Sequence, residues 1–260
     1  MLKEIDLEKI VAITKEAGEA IMQIYNKDFQ VEYKDDKSPL TEADTKSNEI
    51  ICTSLVELYP NIPILSEENK KIPYAQRKNW EYFWCIDPID GTKEFINKNG
   101  EFTINIALIH RNTPVLGVVY APAIGELYKA KKGEGAYKLV FSGQSLVISE
   151  EKLPISCNRD GLVVVASKSH LTPETQDFID QLTTKNQRLT TISKGSSLKL
   201  CMVAEGIADI YPRLAPTMEW DTAAADAIIR ESGKIVYNYE TKKSLEYNKK
   251  DLLNPWFIVR

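Results

Sequence analysis

Ten consecutive residues constrain this chain more than any other feature: Asp87-Pro-Ile-Asp-Gly-Thr-Lys-Glu-Phe-Ile96. They follow Glu81 to Ile86, an aromatic, β-prone run that reads as a strand delivering Asp87 at its end. Asp87 and Asp90 lie close together, with Pro88 holding the backbone extended between them. Two carboxylates in one turn repel each other unless a cation lies between them. Hard oxygen ligands of this kind suit Mg²⁺, and the Ile89 carbonyl offers one more oxygen. Gly91 permits close backbone approach, and Thr92 can open a short helix whose N–H groups make a phosphate seat. Asp-Pro-x-Asp-Gly is also good turn chemistry, so this segment taken alone leaves both readings open.

Three further acidic features lie elsewhere. Ser66-Glu67-Glu68 follows a short strand, Ile62-Pro-Ile-Leu65; in isolation, paired glutamates read as solvated surface. Thr41-Glu-Ala-Asp44 fits a capping box, in which Asp44 merely closes a helix end. Glu219-Trp-Asp221-Thr-Ala-Ala places Asp221 at the start of an alanine-rich helix, where it could be a simple N-cap.

The rest of the chain reads as an α+β half followed by an α/β half, divided into residues 1–152 and 153–260. Ile10, Ile13, Ala17, Ile21 and Ile24 form the stripe of a helix from about Asp6 to Tyr25, capped by Asp6. Asn26 to Pro39 reads as a loop or an irregular hairpin. A second helix runs from Thr41 to Pro60 with Ile50, Ile51, Leu55 and Leu58 on one face. Phe102 to Val140 reads as an antiparallel meander. Strands are then expected at Leu162–Ala166, Gln187–Ile192, Ile207–Tyr211, Lys234–Tyr237 and Trp256–Val259. Helices are expected from Thr172-Pro173, over Ser196–Ala204 and over Asp221–Glu231.

The formal net charge of −4 excludes a general nucleic-acid binder, which would carry a basic excess. Cys52, Cys85, Cys157 and Cys201 lack zinc-site spacing and read as small buried hydrophobes. No apolar run opens the chain and none is long enough to span a bilayer, so a cytoplasmic protein with no integral membrane segment is expected.

Taken together and in this order, Thr-x-Ala-Asp, Ser-Glu-Glu, Asp-Pro-Ile-Asp-Gly-Thr and Trp-Asp-Thr-Ala-Ala resemble the inositol monophosphatase superfamily over nearly the whole chain. Within it, six segments look like the CysQ-type 3'(2'),5'-bisphosphate nucleotidases. They are Gly91-Thr-Lys-Glu-Phe-Ile, Asn99-Gly-Glu-Phe-Thr-Ile-Asn-Ile-Ala-Leu, Gly117-Val-Val-Tyr-Ala-Pro, Ser167-Lys-Ser-His170, Gly195-Ser-Ser-Leu-Lys199 and Val203-Ala-Glu-Gly. Inositol monophosphatases usually read Gly-Thr-x-Asn-Phe where this chain has Gly91-Thr-Lys-Glu-Phe.

The resemblance implies a layered αβαβα sandwich of the inositol monophosphatase and sugar phosphatase type, with the active site between its halves. It implies that Glu67, Asp87, the Ile89 carbonyl, Asp90 and Asp221 hold two or three Mg²⁺ ions, with Asp44 and Thr92 orienting and deprotonating the attacking water. Glu67, Ile89, Asp90, Gly91, Thr92 and Asp221 would surround the scissile phosphate, and Ser167, His170, Gly195 and Lys199 would face the nucleotide. The implied reaction is removal of the 3'-phosphate of adenosine 3',5'-bisphosphate, and of its sulfated analogue, in support of sulfate assimilation. Lithium sensitivity and a peripheral contact with the inner face of the cell membrane follow from the resemblance alone. An inositol monophosphatase or sugar bisphosphatase on the same scaffold is the alternative.

Overall fold

A computed structural model describes residues 1–27, 31–33, 39–69, 72–142, 146–155, 160–167, 172–185 and 188–260. Two helices open the chain. The first, α1 (Leu7–Tyr25), starts where the Asp6 carboxylate accepts the Glu8 N–H at 3.0 Å, and it buries Ile10, Ile13, Ala17 and Ile21. A short antiparallel pair, β1 (Val31–Tyr33) and β2 (Pro39–Thr41), leads into α2 (Glu42–Leu58). Ile51 and Leu55 are buried on α2, but Leu58, expected on the same face, is 41% exposed at the helix end.

The central element is a seven-stranded sheet built from β3 (Ile64–Ser66), β4 (Tyr82–Asp90), β5 (Thr103–His110), β6 (Thr113–Ala121), β7 (Glu126–Lys131), β8 (Gly135–Ser142) and β9 (Leu146–Lys152). Two short helices interrupt it, α3 (Tyr74–Arg77) before β4 and α4 (Thr92–Ile96) after it. The strands lie in chain order. β3 pairs parallel with β4, and every later pair is antiparallel, as the meander pattern predicts. β9 adds an edge strand that the sequence pattern did not single out.

Both faces of this sheet are covered, which explains why β4 to β6 are almost continuously apolar. Trp84, Ile86, Ile104, Ile106, Leu108 and Val118 join α1 and α2 in one core. Phe83, Cys85, Ala107, Ile109 and Val119 point the other way, into a second core.

The remaining elements are β10 (Leu162–Ala166), α5 (Pro173–Lys185), β11 (Leu189–Ser193), α6 (Leu198–Glu205), β12 (Tyr211–Arg213), α7 (Glu219–Glu231), β13 (Val236–Asn238) and β14 (Phe257–Val259). β10 and β11 pair in parallel, β14 lies between β12 and β13, and a bridge from Val164 to Ile210 connects the two groups. α6 and α7 fill the space between these strands and the large sheet, and Ile179 of α5 packs on Val164 and Ala166. The layers are therefore αβαβα, the fold class the resemblance implies.

α7 owes its position to small side chains. Ala223, Ala224, Ala225 and Ala227 are buried, and a Cβ added to Gly117 of β6 would lie 2.1 Å from the Ala224 carbonyl oxygen. Backbone meets backbone there with no room for a methyl group.

Several boundaries differ from expectation by a few residues, and three of them bear on the site and its neighbourhood. β4 does not stop at Asp87 but continues to Asp90, with a shift in register between those two residues. α7 starts at Glu219, so Asp221 lies inside its first turn. The strand expected over Ile207–Tyr211 starts only at Tyr211, because the chain first turns at Gly206, φ +92°, and Asp209 Oδ2 then accepts the Val163 N–H at 2.7 Å.

Candidate active site

The register shift in β4 sets the two carboxylates of its end against different partners on β5. Asp87 sits opposite Asn105 and Asp90 opposite Thr103, while Ser47 of α2 donates its hydroxyl to the Pro88 carbonyl at 2.9 Å. Asp87 Oδ1 accepts the Ile89 N–H at 3.1 Å, and Gly91 takes φ +90° before Thr92 opens α4. The turn reading and the site reading thus describe the same backbone.

Asp44 closes the helix end with one oxygen and faces Thr92 with the other. Its Oδ2 accepts the Thr41 N–H at 2.8 Å and the Thr41 hydroxyl at 2.7 Å, which is the capping box. Its Oδ1 lies 3.4 Å from Thr92 Oγ1, and that hydroxyl is also 3.4 Å from the Ile89 carbonyl. Glu67 begins a single 3-10 turn after β3, fixed where Asn69 accepts the Ser66 N–H at 2.7 Å and Asn48 accepts the Ser66 hydroxyl at 2.7 Å. Glu67 and Glu68 are half-buried, so this pair is not a solvated surface feature. Asp221 is not the N-cap of α7; its Oδ2 reaches back to accept the Met218 N–H at 2.8 Å.

These acids feel one another. Burial pushes Asp87 well above the usual carboxylate range, and Glu67, Asp90, Asp221 and Asp44 push it further. Burial also raises Asp221 strongly, with Asp90 and Glu67 adding and the Met218 N–H and Arg213 opposing. Asp90 is raised by burial too, against the pull of Lys199 and of the Ser197 hydrogen bond. Among the described residues, no three acidic, histidine or cysteine side chains form a preformed ligand cluster. Asp44, Asp87, Asp90 and Asp221 each rest on a hydrogen bond of their own. The donors are all oxygen and mutually repulsive, which is the chemistry that fits a hard divalent cation such as Mg²⁺.

Beside the acids lies a cavity of about 240 Å³, whose walls include Asp90, Gly91, Thr92, Ser167, Ser196, Lys199, Arg213 and Asp221. The structure thus gathers one wall from the α4 turn and another from Ser196, Ser197, Lys199 and Leu200. His170 lies outside the described residues. Gly195 is more than a loop glycine. Its N–H donates to Glu101 Oε2 at 2.9 Å, and an added Cβ would stand 2.6 Å from the Glu101 carbonyl oxygen.

Lys199 is not a solvated helix lysine. It is 7% exposed, and its Nζ donates to the carbonyls of Ser196 at 2.7 Å and Lys194 at 3.2 Å. Burial pushes its pKa down to about 8, with Asp90 opposing that shift.

Three residues here were not singled out from the sequence. Ser197 Oγ is 2.9 Å from Asp90 Oδ2 and 2.6 Å from the Asp221 carbonyl, and Asn105 Nδ2 donates to it at 2.9 Å. A polar Asn105 between Ile104 and Ile106, in a strand buried on both faces, was the available signal. Arg213 ends β12 at the cavity wall; one Nη donates to the Pro216 carbonyl at 3.0 Å, and its buried Nε has no hydrogen-bond partner among the described residues. Its signal was a cation shortly before the Trp220-Asp221 motif.

Cys85 and Cys201 are buried, Cys52 is half-buried with its thiol pushed up to about 11 by burial, and Cys157 lies outside the described residues. His110 stacks on Tyr82 at the far end of β5, with ring centroids 4.4 Å apart.

A family model, that of the inositol monophosphatase family, matches residues 3–258. The chain belongs to the inositol monophosphatase family. Within that family it is 42% identical to the 3'(2'),5'-bisphosphate nucleotidase CysQ of Salmonella typhimurium, over 97% of this chain and 98% of the relative. It is also similar to the crystal structure of CysQ from Bacteroides thetaiotaomicron, a bacterial member of the same family. That match has a TM-score of 0.89 and 46% identity, covering 98% of this chain and 96% of the other. The extragenic suppressor protein suhB of Bartonella henselae shares the fold, with a TM-score of 0.73 at 24% identity over 97% of this chain and 92% of the other. No helix among the described residues is long and apolar enough to cross a membrane.

Proposed function

We propose that this inositol monophosphatase family member is a Mg²⁺-dependent 3'(2'),5'-bisphosphate nucleotidase. It removes the 3'-phosphate of adenosine 3',5'-bisphosphate, giving AMP and phosphate, and acts on the sulfated analogue in the same way. The observation that carries this reading is the end-to-end similarity to nucleotidases of that name. A cavity that places Lys199 and Arg213 beside the acids supports it.

Glu67, Asp87, Asp90, Asp221 and the Ile89 carbonyl are the proposed ligands of two or three Mg²⁺ ions. When bound, Mg²⁺ offsets the charge of the phosphate and acidifies a water molecule. Thr92 orients the attacking water by accepting its hydrogen bond, while Asp44 Oδ1 accepts the Thr92 hydroxyl and keeps it turned. Asp44 can do this because its other oxygen is anchored to Thr41. The Gly91 and Thr92 amides face the scissile phosphate. Ser167, His170, Gly195 and Lys199 belong to the nucleotide side, and Arg213 joins them. Lys199 and Arg213 supply positive charge for the second phosphate; Gly195 lets the 194–199 segment approach the α4 side. In this reading residues 1–152 carry most metal ligands, and residues 153–260 carry the nucleotide side and Asp221.

The test is phosphate release from a substrate panel. Adenosine 3',5'-bisphosphate should turn over far faster than inositol 1-phosphate in Mg²⁺, and not at all in excess chelator. Faster turnover of inositol 1-phosphate would contradict the substrate assignment.

A further inference from the structure

The Ser197 hydroxyl is 1% exposed as part of its residue and meets three partners from three elements. Asp90 Oδ2 at the end of β4 and the Asp221 carbonyl in α7 are both acceptors, at 2.9 and 2.6 Å. The single hydroxyl proton must therefore point at one of them, and the third partner, Asn105 of β5, must present its amide nitrogen. The two acceptors thereby fix which way the Asn105 amide is turned.

That orientation has a local cost. Asn105 is 1% exposed, and its Oδ1 is left with no hydrogen-bond partner among the described residues. A buried unpaired acceptor destabilises a fold, and native structures keep few of them. The neighbouring Thr103 Oγ1, opposite Asp90, is in the same condition. An apolar residue at position 105 would suit that face of the strand better, since Ala107, its neighbour there, is buried in the second core. The amide is tolerated because of what it holds.

We infer that Asn105 and Ser197 are positioning residues that fix the Asp90 carboxylate and thereby set the affinity for Mg²⁺. Asn105 donates to Ser197, whose hydroxyl lies 2.9 Å from Asp90 Oδ2 and whose backbone N–H also hydrogen-bonds Asp90. Neither residue acts on substrate; both act through Asp90. Because Asp90 sits just before the α4 turn and Ser197 on the opposite wall, the Ser197–Asp90 contact also couples the two walls of the cavity. The inference rests on the Mg²⁺ site proposed above.

The test is Mg²⁺ binding to substrate-free protein, read as the thermal shift across a Mg²⁺ titration, alongside kcat and KM at saturating Mg²⁺. Ser197→Ala should weaken Mg²⁺ about ten- to a hundredfold, and Asn105→Val about tenfold, the range for groups that orient a metal ligand. In the absence of metal, Asn105→Val should melt at or above the wild-type temperature, because it removes the unpaired acceptor. A purely structural role would lower that temperature and leave the Mg²⁺ titration unmoved. Ser197→Thr, which keeps the hydroxyl, should restore binding. Unchanged Mg²⁺ affinity in both Ser197→Ala and Asn105→Val would overturn the inference, as would an effect confined to KM. If Ser197→Ala does not fold, Asn105→Val decides alone. A wild type that binds no Mg²⁺ overturns the metal reading and the relay together. A wild type that binds Mg²⁺ but spares adenosine 3',5'-bisphosphate overturns only the substrate reading, and the binding data still decide the relay.

Discussion

Asp90 shows most clearly how one side chain serves two demands. It is held by Ser197, lies within the field of Lys199 and repels its acidic neighbours. Asp90→Asn should therefore leave the fold intact and hold or raise metal-free stability, while removing a charge from the proposed Mg²⁺ site. Turnover should fall below about a tenth of wild type at saturating Mg²⁺, because it loses an interaction the metal needs; an active variant would remove Asp90 from the ligand set. Asp44 and Thr92 invite a double-mutant test. If they act as one unit, Asp44→Ala with Thr92→Ala should be little slower than the slower single variant. Rate losses that simply multiply would leave Asp44 only its cap. Asp44→Ala also loses the capping box, so it should cost about 1 kcal/mol of stability that Thr92→Ala does not.

At the scale of elements, α7 ties the site to the sheet. Gly117→Ala would force a methyl group into the Ala224 carbonyl, so overpacking should cost about 1–3 kcal/mol or more. Melting would fall accordingly; an unchanged melting temperature would mean that α7 can move away. Such close approach was not legible in the sequence, which offers only an alanine-rich helix and a glycine in a strand. What was legible follows local rules. The α1 stripe, the meander and the strand before Asp87 are set by periodicity and turn residues. Boundaries set by distant partners were not. β4 runs past Asp87 because Asp90 still pairs with Thr103, and α7 starts early because Glu219 accepts the Asn248 and Lys249 N–H groups at 2.6 and 3.0 Å. The four acidic motifs stood out only together and in order, since each alone also reads as a turn, a cap or a solvated surface. Asn105, Ser197 and Arg213 could not be ranked, since their roles depend on contacts between strands and helices far apart in the chain.

For the whole molecule, the buried acids make metal and pH inseparable. The folded-state pKa values of Asp87, Asp90 and Asp221 lie above their unfolded values. From about pH 4 upward the folded chain therefore retains protons that the unfolded chain has released, so this cluster makes stability fall as pH rises. In chelator the melting temperature should drop as pH rises above about 4. Saturating Mg²⁺ should flatten or reverse that slope, because a cation replaces the protons. A metal-free protein whose stability rises over that window would contradict the clustering of these carboxylates.

The most direct measurement is phosphate release by the purified chain from adenosine 3',5'-bisphosphate and from inositol 1-phosphate, each with Mg²⁺ and with excess chelator. Rapid release from the nucleotide, slow release from the inositol ester and none without Mg²⁺ are expected. Full turnover in chelator, or preference for inositol 1-phosphate, would contradict the proposed function.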